Sequence, residues 1–239
     1  FSDFPILIKF IDAMDNLSVQ VHPTKEYCEK TGRGQSKTEC WYIIDCKDGA
    51  EMIYGHTAQS KEEFASMIEK GEWNHLLRRV SIKPGDFFYV PSGTVHALCE
   101  GTLVLETQQS SDTTYRVYDY DRADQNGQKR ELHIEKSIDV SMVPHQDAEV
   151  QDSQTISPGD ELTAFVETEF FSVYKWDISG LSSFDQNQPF MLFSVIDGEG
   201  TLRMNEGTYP LEKGAHFILP SGTGNFELEG NLSLIVSHP

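Results

Sequence analysis

Basic residues are scarce in this chain of 239 residues: 19 Lys and Arg stand against 38 Asp and Glu, a formal charge of −19 at pH 7. A field of that sign repels DNA and RNA, which excludes a nucleic-acid function. Long apolar runs are missing as well, and nothing approaches the roughly 20 residues a membrane helix needs. No leader-like stretch opens the sequence, where FSDFPILIKF is broken by Pro5 and Lys9. A soluble protein without a membrane partner is expected. Cysteine is sparse, and Cys28, Cys40, Cys46 and Cys99 show no C-x-x-C spacing. A chain of this size needs no disulfide framework, so reduced thiols and a cytoplasmic location are expected. An initiating Met is absent too: the chain opens on Phe1 inside a strand-like stretch, which predicts a segment upstream.

What the sequence does have is β-structure. Short runs of Val, Ile, Tyr, Phe and Thr, broken by Gly, Pro, Asn and Asp, recur along most of the chain and predict an all-β protein of antiparallel strands. A helical insertion near residues 60–79 interrupts them. In KEEFASMIEK (61–70), Phe64, Met67 and Ile68 have helical spacing, Ser60 and Glu63 suit a capping box, Gly71 suits the C-terminal cap, and Trp73, Leu76 and Leu77 predict a short second helix. Residues 141–160 are polar, contain Pro and lack periodicity, which predicts a linker between a lobe at 1–140 and another at 161–239.

A repeat ties the two lobes together. PGDFFYVPSGTVHA (84–97) and KGAHFILPSGTGNF (213–226) share Gly, an apolar strand and Pro-Ser-Gly-Thr at a constant offset, Gly85 matching Gly214 and Gly93 matching Gly222. Each copy predicts a strand, a tight turn and a return strand, a hairpin of a double-sheet jelly roll. Further turns are expected at Asp197-Gly198 and Asn205-Glu206-Gly207. The whole reads as two related β-barrel lobes. At the repeat offset His96 corresponds to Asn225, so any chemical task of His96 belongs to the first lobe, and the second is expected to hold no metal.

Three pieces of the first lobe can carry chemistry. In LSVQVHP (17–23) a period of two puts Gln20 and His22 on one strand face. Glu39 begins an apolar strand with Lys37 on the same side, and His96 enters the return strand after the Gly93 turn. Adjacent antiparallel strands bringing these faces together would form a mixed nitrogen and oxygen site for one divalent metal, with zinc its most natural occupant and positions left open for water or substrate. His56, His75, His133, His145, His216 and His238 have no such company and are expected to be surface or structural.

QVHP, KTECW, PSGTVHAL and DTTYRVYDYDR (112–122), in that order and spacing, resemble the type I phosphomannose isomerases, in particular the short bacterial form within the cupin superfamily. The resemblance covers essentially the whole chain. It implies a double-stranded β-helix of cupin type and a zinc enzyme that interconverts mannose 6-phosphate and fructose 6-phosphate through a cis-enediol(ate). It further implies His22, Glu39 and His96 as zinc ligands with Gln20 as a weaker fourth, and Arg116 as the catalytic arginine. Members of the family carry several dozen residues before FPILIKF.

Aldose–ketose isomerisation moves a proton between C2 and C1 and needs positive charge near the oxygens. Arg116 can hold that charge because guanidinium stays protonated. Either Glu106 or Asp112 could be the base, or could orient Arg116. Lys37 is a further acid/base candidate, and Arg33 and Lys37 flank the Gly-rich TGRGQSKTE, suited to the substrate phosphate. Two alternatives stand beside this reading: an iron or manganese cupin oxygenase or another phosphosugar isomerase, and a non-catalytic sugar-phosphate sensor. Monomer and homodimer are equally compatible with the sequence.

Overall fold

In the computed structural model, which describes residues 4–150, 160–205 and 207–239, the short apolar runs become strands and few helices interrupt them. The chain divides into two compact units, Leu7–Glu149 and Val150–Pro239, with residues 4–6 joining the latter. Among the described residues no helix is long and apolar enough to cross a membrane.

The first unit contains β1 (Ile6–Ala13), β2 (Val19–Val21), α1 (Lys25–Thr31), β3 (Glu39–Cys46), β4 (Glu51–His56), α2 (Lys61–Glu69), α3 (Trp73–Leu76), β5 (Leu77–Ser81), β6 (Phe87–Val90), β7 (His96–Leu98), β8 (Thr102–Gln109), β9 (Tyr115–Tyr118) and α4 (Ile134–Val140). Its strands make a sheet of four in the order β1-β8-β3-β6 and a sheet of five in the order β5-β4-β7-β2-β9. Trp41, Ile43 and Val104 of the first meet Met52, Tyr54 and Leu98 of the second in one core. Val19, Val21, Ile53, Ala97 and Val117 point out of the other face of the five-stranded sheet, onto Phe64, Ile68 and Leu76 of the helices. Burying each of those large side chains contributes about 2 kcal/mol. Both faces of β4 are therefore covered, so its sequence shows no polar alternation.

α2 starts at Ser60, whose Oγ accepts the Glu63 N–H at 3.1 Å, and ends before Gly71 at φ +67°. The expected capping box is displaced by one residue: the Glu63 carboxylate takes the N–H of Gln59, at 2.7 Å, not that of Ser60. α1 and α4 go beyond the single insertion expected. For α1 the signals were present, with Thr24 capping the Tyr27 N–H and Gly32 left-handed at its end.

The second unit holds β10 (Glu161–Glu167), β11 (Ser172–Gln186), β12 (Phe190–Met204), β13 (Gly207–Glu212), β14 (His216–Pro220) and β15 (Gly224–His238). Their order is β10-β11-β15-β12-β13, with β14 also on β12. The turn expected at Asp197-Gly198 does not form: both residues pair regularly with Ser233 and Leu232 of β15, just past a register shift between Val195 and Asp197, and β12 runs on for 15 residues. What bends the sheet is a row of glycines, Gly180 opposite Gly230 opposite Gly200. A Cβ on Gly230 would lie 2.5 Å from the Glu199 carbonyl oxygen, and one on Gly200 would lie 2.3 Å from that of Glu229, so the backbones approach there as no other residue permits. Residues on both sides of the row, Trp176 and Leu234 before the bend and Leu202 and Phe226 beyond it, then share one core. The turn before β13 occurs as expected, with Met204 paired to Gly207; Glu206 lies outside the described residues, as do 151–159 of the expected linker.

Two corrections concern the lobes as a whole. The first lobe is a pair of packed sheets and the second a single bent sheet, neither of them a closed barrel, and the repeated segment is not a hairpin. β6 pairs with β3 in one sheet while β7 pairs with β2 and β4 in the other, so the Pro-Ser-Gly-Thr turn carries the chain between sheets. In the second unit β14 and β15 likewise pair with β12 and not with each other.

Candidate metal centre

In the five-stranded sheet Gln20 of β2 stands opposite His96 of β7 on one side and Arg116 of β9 on the other. Opposed residues project to the same face, so these three side chains form a row on the inner surface, and His22 follows at the same parity. Glu39 reaches the row from β3 in the facing sheet, not from an adjacent strand as expected. Its Oε2 lies 3.3 Å from His22 Nε2 and its Oε1 3.2 Å from His96 Nε2. All three residues are essentially inaccessible to solvent, with ligand atoms within 4.8 Å of one another.

The remaining ring nitrogens fix the chemistry. His22 Nδ1 lies 2.9 Å from the Thr113 carbonyl oxygen and His96 Nδ1 lies 2.8 Å from that of Thr94. A carbonyl oxygen only accepts, so both Nδ1 atoms carry the proton and both Nε2 atoms turn lone pairs toward Glu39. Burial pulls the His22 pKa down to about 4, against the raising influence of Glu39. His22 Nε2 and both Glu39 oxygens lack a partner of hydrogen-bond geometry, although Lys37 Nζ approaches Oε2 to 2.7 Å as an ion pair. Two lone pairs facing a carboxylate repel unless a cation lies between them. The donor set thus fits a divalent metal. The Gln20 amide lies beside it, its Nε2 placed 3.3 Å from His96 Nε2; amide nitrogen and oxygen exchange by a flip, which would turn the oxygen toward the cluster.

Around this cluster the other candidates separate. Lys37 is buried beside Glu39. Glu106 is buried on β8, where Oε2 accepts the Trp41 indole N–H at 2.9 Å and Oε1 meets Lys9 Nζ at 3.0 Å. Burial, and then the charge of Glu39, raise its pKa. Arg116 donates through Nη1 to the Glu131 carbonyl at 2.7 Å while its buried Nε has no partner. Asp112 is exposed ahead of β9, and Arg33 is exposed on the loop after α1. The latter half of DTTYRVYDYDR is architectural: Asp119 is buried and gripped by Arg122 at 2.6 Å and by Arg130 Nε at 2.8 Å. Of the other histidines, His56 is buried against Phe64, and the His145 side chain, 2% exposed, packs against Tyr54. Sequence reasoning missed Lys9, Trp41 and Gln108 near the site. A lysine inside the apolar ILIKFI was the available signal for the first; the carbonyls of Thr94 and Thr113 leave no signal at all.

A jelly-roll sandwich with an inward His–Glu–His cluster is a metal centre of the cupin class. The family profile described as mannose-6-phosphate isomerase, cupin domain, matches residues 161–239. The chain is 54% identical to the mannose-6-phosphate isomerase ManA of Bacillus subtilis, over 98% of this chain and 75% of that protein. It superposes on a crystal structure of the mannose 6-phosphate isomerase from Bacillus subtilis with a TM-score of 0.95 at 52% identity, covering 100% of this chain and 76% of that one. A zinc-bound mannose 6-phosphate isomerase, 16% identical, shares the fold with a TM-score of 0.79, over 100% of this chain and 79% of that one. The chain belongs to the mannose-6-phosphate isomerase family.

Proposed function

We propose that this protein is a zinc-dependent aldose–ketose isomerase that interconverts mannose 6-phosphate and fructose 6-phosphate through a cis-enediol(ate). The observation that carries the reading is the buried His22–Glu39–His96 cluster, its two Nδ1 protons tied off by carbonyls, lying one strand away from Arg116. Bound by these residues and Gln20, zinc would supply Lewis acidity and orientation for the substrate oxygens. Glu106 is the better placed of the two carboxylates to move the proton between C2 and C1. It is buried beside the cluster with a raised proton affinity, which suits a base working near neutral pH, whereas Asp112 is exposed. Arg116 opposes the negative charge that develops on the sugar oxygens, with Nη1 anchored on Glu131 and Nε free to turn to the ligand. Lys37 compensates Glu39, which leaves the exposed Arg33 as the stronger candidate for the phosphate. The four cysteines are free thiols, which supports a cytoplasmic location.

Metal removal tests the assignment. Chelator-treated protein should lose at least about 100-fold in turnover of mannose 6-phosphate, and one equivalent of zinc should restore it. Full activity in metal-free protein would sink the reading.

A further inference from the structure

We propose that Trp41 is a positioning residue for proton transfer, aligning the Glu106 carboxylate relative to the metal cluster; this rests on Glu106 being the base. Trp41 is the next inward residue after Glu39 on β3 and stands opposite Glu106 of β8. Its ring lies with the inner core and is essentially inaccessible to solvent. Two contacts leave that one ring. The indole N–H donates to Glu106 Oε2 at 2.9 Å, and the ring meets His96 edge-on, with centroids 5.3 Å apart and planes at 74°. A single rigid side chain thereby touches both His96 of the cluster and the carboxylate assigned to the proton.

The geometry suits orientation better than bulk packing. Any large apolar residue would fill the core, but only the indole offers a lone donor with no competing acceptor. Lys9 holds the other oxygen, Oε1, from a side chain that is 40% exposed. The fixed end of the carboxylate is therefore the one on Trp41. Gln108, opposite Glu39 on the same inward face, also receives Lys9, and its own amide is secured by the carbonyls of Gln109 and Ser111 at 2.7 and 2.9 Å. Lys9 is shared between two acceptors, whereas the indole serves Glu106 alone.

Trp41→Phe keeps an aromatic ring in the core while removing the donor and the volume of one ring, and benzothienylalanine at position 41 removes the donor alone. With zinc content unchanged, kcat should fall roughly tenfold while KM stays within about a factor of two, and the primary isotope effect with C2-deuterated mannose 6-phosphate should rise. The discriminating measurement is a double-mutant cycle with Glu106→Gln. If Trp41 acts through Glu106, Trp41→Phe costs nothing further in the residual turnover of Glu106→Gln. An equal loss in both backgrounds, or native kcat in Trp41→Phe beside a crippled Glu106→Gln, overturns the proposal and leaves Glu106 as base. Native kcat in Glu106→Gln overturns the base assignment and the proposal with it. Should Trp41→Phe fail to fold, benzothienylalanine placed at position 41, which has the shape of indole without its N–H, gives the same readout.

Discussion

The two units use the same turn and reach opposite results with it. In the first, Gly85 donates to the Ile43 carbonyl and Thr94 to that of Pro91; in the second, Gly214 donates to Val195 and Thr223 to Pro220. Gly85 and Gly214 share φ +92°, and Gly93 and Gly222 lie at +91° and +84°. Yet the strand that leaves the turn presents different residues inward. His96 and Leu98 face the inner core of the first unit, with Val95 and Ala97 toward the helices. In the second unit Phe226 and Leu228 face the core, while Asn225 is exposed. A one-residue change of parity exchanges the faces of a strand completely. The repeated backbone therefore does not make a site; the face on which a ligand lands does.

Replacing His96 is the harshest test of that contrast. His96→Asn brings in the residue found at the matching position of the second unit, and it removes the imidazole that bridges the two sheets through Glu39. Zinc binding should be abolished and turnover should fall by about 1,000-fold or more, because the remaining His22 and Glu39 cannot complete a coordination shell. The fold should persist, since the new side chain is smaller and polar in a site already polar. Elemental analysis and circular dichroism together check it; an unchanged zinc content in His96→Asn would contradict the assignment.

Acid should also separate the units. The His56 and His145 side chains of the first unit are buried, their ring centroids 6.1 Å apart, and burial lowers both pKa values below the ordinary 6.5, with Arg78 opposing a charge on either ring. Asp147, bound to Arg78 and to His145, is held down and stays ionised. The unfolded chain therefore takes up protons that the folded chain refuses. Stability is complete above about pH 7, declines as pH falls through 6.5, and continues to decline until the lowered folded values are passed. Hydrogen-exchange protection of β4, corrected for intrinsic rates, should drop between about pH 7.5 and about pH 5.5 more than that of β11, which is not paired with β14 and its own lowered histidine, His216. His145→Asn should flatten the trend. Equal losses in both strands would refute it.

How far the sequence could be read follows from the same geometry. Period-two alternation exposes β2, and with it Gln20 and His22, because one face there is apolar and the other carries these polar side chains. The Ser60 cap and Gly71 exposed α2. β4 does not show as an alternating strand because both of its faces are buried, and the unbroken β12 reads as two strands because Asp197-Gly198 has the chemistry of a turn while pairing regularly inside the strand, next to the bulge that follows Val195. Trp41 was legible only as part of KTECW. Its link to Glu106 depends on the pairing of β3 with β8, a contact between residues 65 positions apart that no local pattern encodes.

The mildest expected effect is the most specific to the comparison between the units. If a histidine after the turn were enough, Asn225→His would install in the second unit the residue that serves the first. Asn225 sits opposite Asp185 on the exposed face, and Phe226, 1% exposed, occupies the inward position that a ligand would need. Among the described residues no counterpart of Glu39 faces that inward position, around which stand Trp176, Phe193 and Leu228. Asn225→His should therefore bind no second equivalent of zinc at micromolar metal and should leave kcat within about a factor of two, with a stability change of about 0.5 kcal/mol or less as expected at a surface position. Isothermal titration of the metal-loaded variant reads the stoichiometry directly. A second tight zinc site in Asn225→His would mean that the turn itself, and not strand parity, is what builds the centre.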